Sequence, residues 1–350
     1  MGGSKLKYHP MIASVITIAT GLLITSVNQS HAADDVTLRY LSIRANNHVY
    51  SEKVMAGFDR IKERSNGRLT IEFNNYRETP HRPQDGLSVL RDGLADMVEW
   101  YPGYVTNTYP LLGAAELPLL SPTLVSAQEG LEIASRAWEV PAVRKALEEI
   151  TASFDATVGM RLYFEPINLW TVAPISSSSE MSGLRIRANT AENAQMMEVL
   201  GATPNFMPST EIYAAAQRNV VNGVLTSSGT VVASKLFEVL KGGFLYQSQF
   251  VTGAILLRKS AVETLPTDLK TILHEELKAI EADLREFMPL ADAEARETLE
   301  SMGVMLSLPT DEDYQRLRNI AVESVWPEWV QKAGPGAEEV LSDILAVAGQ

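Results

Sequence analysis

Apolar and polar positions alternate over residues 36–43, with Val36, Leu38 and Tyr40 on one side, and a period of two predicts a strand. Tyr50, Val54, Phe58 and Ile61 then recur at spacings of four, four and three, which is one face of a helix. Asn66-Gly67 ends that helix, since both residues tolerate a positive φ. Leu69, Ile71 and Phe73 alternate as a second strand, Leu87, Leu90 and Leu94 mark a short helix, and residues 96–101 form a third strand. A βαβαβ order implies parallel strands joined by helical crossovers.

The same order returns later in the chain. Residues 185–187 read as a strand, Asn189 and Glu192 as a capping box on a helix that stops at Gly201, and Thr203–Phe206 as the next strand. Ile212, Ala216 and Val220 make another helical face before a strand over 224–227. Residues 90–97 and 216–223 share one pattern about 126 residues apart: helix end, turn, Asp or Asn, strand. Beyond Ser260 the chain is mostly helical. Leu273, Leu277, Ile280, Leu284 and Phe287 form a stripe stepping by four, three, four and three, and Pro289 inside the pattern predicts a kink or break. Unbroken from Thr267 to Met302, this helix would run roughly 50 Å at 1.5 Å per residue, enough to bridge two lobes.

Composition narrows the function. At 350 residues the chain suits two globular units rather than one. A formal net charge of -13 argues against nucleic-acid binding through a general positive field. The absence of cysteine excludes disulfide scaffolds, thiolate nucleophiles and CxxC redox centres. Lys5 and Lys7 precede an apolar run over residues 11–27, and the small residues Ser30 and Ala32 stand at -3 and -1 of a cleavage site. Together they predict an export leader, residues 1–32, removed after Ala32.

Catalytic motifs are scarce. The sequence holds no GxGxxG, no GxxxxGK[ST] and no GxSxG, and His274-Glu275-Glu276 has Lys278 where a zincin would need its second histidine. Neither a cofactor nor a metal is called for. Thr226-Ser227-Ser228-Gly229 lies between a parallel strand and a helix, where α/β folds bind ligands, so Thr226 is a candidate hydrogen-bond donor. An exported α/β hydrolase using Ser227 or Ser228 stands as an alternative. His48, beside Asn46 and Asn47 at a helix start, could meet a ligand or cap the helix.

Gly183-Leu184-Arg185-Ile186-Arg187 opens a more specific pattern. It continues through Leu200-Gly201-Ala202-Thr203-Pro204, Met207-Pro208, Glu211-Ile212-Tyr213 and Val220-Val221-Asn222-Gly223. Gly67-Arg68-Leu69, Gly93-Leu94-Ala95-Asp96-Met97, Pro102-Gly103-Tyr104, Glu116-Leu117-Pro118 and Trp326-Pro327-Glu328-Trp329 extend it over nearly the whole chain. In these residues the sequence resembles the TRAP-transporter solute-binding proteins of the DctP family. The resemblance implies an α/β, two-lobed periplasmic binding protein fold with a hinge and a long helix spanning both lobes. The first lobe would take residues 33–155, the second 156–250, and residues 251–350 would return to the first.

The resemblance also implies capture of an organic acid and its delivery to membrane permease subunits, in the periplasm and without catalysis. A sensory paralogue of the same fold is a further alternative, and a dimer through the long helix would be compatible with the family. The family arginine falls on Arg187, whose planar guanidinium suits a carboxylate. Where family members carry an asparagine after the turn, this chain has Thr226. The stretch Ile167-Asn168-Leu169-Trp170-Thr171 lacks the second arginine common there, leaving Asn168 and Trp170 as candidate contacts, and Arg77 is the cation that could replace it. One anchoring cation with Trp100, Tyr101, Trp170 and Phe206 near the lobe edges favours a monocarboxylate with an apolar or aromatic body.

Overall fold

The computed structural model describes residues 1–3, 35–207 and 209–350. The expected leader, residues 1–32, lies outside the described residues apart from Met1 to Gly3. The first alternating segment is strand β1 (Val36–Ser42), followed by β2 (Leu69–Asn75) and β3 (Met97–Trp100). Next come β4 (Ala156–Tyr163), β5 (Ile167–Thr171), β6 (Arg185–Ala188), β7 (Thr203–Phe206) and β8 (Gly223–Thr226). The chain closes with β9 (Gly242–Gln249), β10 (Thr252–Arg258) and β11 (Met305–Ser307).

These strands build two sheets, one of order β2-β1-β3-β10-β4 and one of order β11-β9-β5-β8-β6-β7. The βαβ halves are parallel as expected, but neither sheet is purely so. Strand β10 runs antiparallel to β3 and β4, and β5 runs antiparallel to β8 and β9. Both exceptions are strands of the short links between sheets: β4 leads into β5 through residues 164–166, and β9 into β10 through residues 250–251. A chain that crosses over and returns must enter each sheet against its neighbours. The boundary expected at residue 155 puts β4 with the second lobe, whereas its ladder to β10 joins it to the first sheet; the crossover falls after Tyr163. Similarly, β11 pairs with β9 of the second sheet rather than returning to the first.

The internal pattern has a structural counterpart. Asp96 N donates to Arg39 O and Asp96 Oδ2 accepts from Arg39 N at 3.0 Å; Asn222 N donates to Arg185 O and Asn222 Oδ1 accepts from Arg185 N at 2.7 Å. In each lobe the Asp or Asn thus clamps a neighbouring strand, within β1 at Arg39 and at the start of β6 at Arg185. The preceding turns match too, with Gly93 at φ 68° and Asn219 at φ 55°.

Apolar faces pack where the periodicity placed them. Tyr50, Val54, Phe58 and Ile61 share one core with Leu273, Leu277, Ile280 and Leu284 of the long helix Thr267–Ser301. That helix is continuous through Pro289, which removes one backbone donor without ending it. It packs on the helix Val49–Arg64 of the first lobe and on Ser228–Ala233 of the second, so it does span both. The last helices pack through Trp326 and Trp329, whose Nε1 atoms donate to Pro118 O and Pro110 O. No described helix is long and apolar enough to cross a membrane.

Candidate functional site

Strand β3 places Glu99, fully buried, against the end of β1. Its Oε2 accepts from Ser42 Oγ and Ile43 N, both at 2.8 Å, and its Oε1 from the Tyr101 hydroxyl at 2.5 Å. This fixes the turn after β1 and sends Arg44 into the cleft between the sheets. The Arg44 Nε stands 3.6 Å from Glu99 Oε1, and Nη1 lies 3.2 Å from both His48 Nε2 and Thr230 Oγ1. Burial opposes the charge, but Tyr101, Glu165 and Glu99 hold the guanidinium more firmly protonated than usual. His48 Nδ1 accepts from Tyr50 N at 3.2 Å and so caps the helix Val49–Arg64. Burial, reinforced by Arg44, holds the imidazole pKa well below its usual value and keeps the ring neutral.

The second lobe supplies Arg187 from β6. Its Nε donates to Met207 O at 3.0 Å and its Nη1 to Leu225 O at 2.8 Å. Both partners are neutral carbonyls, and no acidic side chain among the described residues offsets the charge. Burial therefore lowers its pKa to about 10, and the one group that opposes this is Tyr104. Strand β8 ends at Thr226, and Ser227 caps the helix Ser228–Ala233 through Thr230 N. An amide network closes one wall, with Asn189 Nδ2 and Asn193 Nδ2 both donating to Gln249 Oε1 at 2.7 and 2.9 Å.

The cleft lined by these groups holds about 840 Å³ of space with its open mouth included. Of the residues singled out from sequence, Arg187, Thr226, Tyr101, Arg77 and His48 line it. Arg77 does so from an exposed position. The others lie elsewhere. Trp100 and Trp170 are fully buried among the core residues, with Trp170 Nε1 donating to Thr226 O at 3.0 Å. Asn168 is buried in β5, its Oδ1 accepting from Gln247 N at 2.9 Å. Phe206 is 56% exposed at the end of β7, and Asn47 is exposed with Nδ2 donating to Ala233 O at 3.4 Å. Alternation in a strand sends neighbouring aromatics to opposite faces, which is why Tyr101 reaches the cleft and Trp100 does not.

Sequence reasoning missed Arg44, Tyr104, Glu116, Asn189 and Thr230, all of which line the cleft. Arg44 had a usable signal: it follows the carboxyl end of a parallel strand, the same position that singled out Thr226. Ser228 Oγ donates to Asp292 at 2.7 Å, and Ser227 Oγ lies 3.0 Å from Thr230 Oγ1; among the described residues neither is bonded to a histidine. Among the described residues no group of three or more His, Asp or Glu is placed to hold a metal ion.

A solute-binding protein of Albidiferax ferrireducens is 24% identical over 51% of this chain and 52% of its own. The chain spans about half the length of the first curated relatives it matches. Among solved structures, the extracytoplasmic solute receptor DctP6 of Bordetella pertussis, which binds pyroglutamic acid, superposes with TM-score 0.79 at 19% identity, covering 88% of this chain and 99% of that one. A marine metagenome TRAP solute-binding protein specific for aromatic acids, crystallised with 3-hydroxybenzoate, gives TM-score 0.79 at 20% identity, covering 90% and 98%. At these identities the likeness carries the fold. The profile of DctP, bacterial extracellular solute-binding protein family 7, matches residues 42–332, and the chain belongs to that family.

Proposed function

We propose that this chain is the extracytoplasmic receptor of a TRAP-type transporter, and that it captures a small monocarboxylate with a compact apolar or aromatic body. The observation that carries the reading is Arg187: a buried guanidinium in the cleft, bonded among the described residues to backbone carbonyls alone and facing no acidic partner there. An uncompensated buried cation is costly by itself, and a ligand carboxylate in bidentate contact would relieve that cost.

Charge pairing argues for one carboxylate rather than two. Arg44 already stands beside Glu99 and within electrostatic reach of Glu165. Arg77 is exposed at the cleft wall and free to swing into water. Arg187 is therefore the buried cation left to neutralise an anion. Ile43, Tyr101, Tyr104, Ile167 and Val251 supply apolar surface around it. The fold neighbours that bind pyroglutamic acid and 3-hydroxybenzoate support a ligand of this size. Lobe closure over the acid would then present the loaded receptor to membrane permease subunits in the periplasm.

A thermal-shift screen tests this. Ligand at 100 times its Kd adds about 2.7 kcal/mol, a shift of several degrees for a domain of this size. Stabilisation by compact monocarboxylates, weaker with C4-dicarboxylates and lost in Arg187→Ala, is expected. Dicarboxylates shifting the wild type more strongly would overturn the monocarboxylate assignment, and acid-induced shifts that survive Arg187→Ala would overturn the role of Arg187.

A further inference from the structure

Arg187 accounts for one end of an anionic ligand, and a second group in the cleft is equally short of a partner. Glu116 ends the turns Pro110–Glu116 and is one of the residues lining the cleft. It is 2% exposed, and its Oε1 finds no hydrogen-bond partner among the described residues. Its backbone carbonyl accepts from Gln249 Nε2, so the residue is fixed at its root while Oε1 at its tip is buried without a partner among the described residues. Opposite the tip is Gly103, where a Cβ would stand 3.1 Å from Glu116 Oε2 and 3.3 Å from Thr190 Cγ2. A side chain at position 103 would crowd the carboxyl; glycine leaves room beside it.

The surroundings decide the state of that carboxyl. Burial raises its pKa well above the usual range, and the neighbouring Glu192 raises it further. A neutral carboxyl offers both a carbonyl acceptor and a hydroxyl donor. The Tyr104 hydroxyl lies within electrostatic reach of Arg187, Arg44 and Glu116, so these groups surround one space. Donors are plentiful there, since three guanidiniums and several hydroxyls line the cleft. An acceptor left unpartnered is the scarcer feature.

Building on the carboxylate-receptor reading, we propose that Glu116 determines specificity by accepting a hydrogen bond from an uncharged donor on the ligand. The ligand class is then a small carboxylic acid bearing its own amide N–H or hydroxyl. A cationic donor is disfavoured because Arg44, Arg77 and Arg187 already line the same cleft and would repel it.

Calorimetric titration with matched acids tests this on the wild type, Glu116→Gln and Glu116→Met. The probes are 3-hydroxybenzoate against 3-methoxybenzoate, and pyroglutamate against its N-methyl derivative. The wild type is expected to prefer the donor-bearing acid of at least one pair about tenfold or more. Glu116→Gln keeps an uncharged acceptor and should retain that preference within about threefold, whereas Glu116→Met should erase it. Equal affinity for both members of every pair that binds, or a preference that survives Glu116→Met, would overturn the role of Glu116. A tenfold loss of preference in Glu116→Gln would overturn the uncharged-donor assignment. If none of the four acids binds, the ligand class is wrong, while the Arg187 screen reports separately on the carboxylate reading.

Discussion

The guanidinium carbon of Arg44 lies 3.9 Å from the centre of the Phe164 ring. A residue just beyond the first strand thus rests on one at the crossover between the two sheets. The ring holds the guanidinium plane while Glu99 fixes its charge, so Arg44 is oriented before any ligand arrives.

Arg44→Lys keeps the charge but loses the planar fork and the stacking. Affinity for the acid identified in the screen should fall about tenfold, with Phe164→Leu falling about three- to tenfold, on the order of 1 kcal/mol for a cation–π contact. Calorimetry on both variants measures this. Unchanged affinity in Arg44→Lys would show that Arg44 braces the lobes and does not touch the ligand.

Acidity should act on the empty receptor through Glu116. Its carboxyl holds a proton in the fold that the unfolded chain releases above about 4.3. The associated stability is complete below that value and is lost as pH rises through the raised folded pKa. His48 acts in the opposite sense, because the unfolded chain takes up a proton below about 6.5 that the fold excludes. Above pH 7 the histidine contribution is flat. As pH rises from about 4.3 the wild type should lose melting temperature relative to Glu116→Gln, while His48, Glu165 and Asp292 contribute equally to both. Parallel melting curves for the two proteins would contradict this.

Trp170 separates support from contact. Its indole nitrogen donates to Thr226 O at 3.0 Å. Trp170→Phe leaves that buried carbonyl unpaired and should cost about 1–3 kcal/mol of stability. Affinity should change less than about threefold, because the ring lines the core and not the cleft. A tenfold loss of affinity at constant stability would reverse the assignment.

Gly242 starts β9 against the backbone of the neighbouring loop. A Cβ there would stand 2.5 Å from Pro174 Cα and 2.8 Å from Thr171 Oγ1. Backbone cannot rotate away, so Gly242→Ala should destabilise by roughly 1–3 kcal/mol, a few degrees in melting temperature. Wild-type stability in that variant would mean the loop relaxes freely.

How far the sequence could be read follows from burial. Strands with one wetted face, such as β1 and β2, show alternation, as does the long helix with its apolar stripe. Strands β5 and β10 are buried nearly throughout, Asn168, Thr171 and Thr252 included, so burial does not alternate along them, and their antiparallel entry has no local signal. At the site, Thr226 was legible because it ends a strand that leads into a helix, and Arg187 because it falls on the arginine of the family pattern. Trp170 and Phe206 were misplaced because an aromatic residue near a strand end can face core, solvent or cleft, and sequence carries no sign of which. Glu116 was invisible for a different reason: its role depends on having no partner, which only the folded surroundings reveal.

The chain passes between the sheets twice by short extended links, at residues 164–166 and 250–251. Two points define a line, and a body held at two points can turn about that line and little else. The long helix, seated on both lobes, is a third tie that bends or slides with the turn. A turn about that line would be described by one angle. A single distance across the mouth, followed over time, would report the whole trajectory of the molecule between its empty and loaded forms.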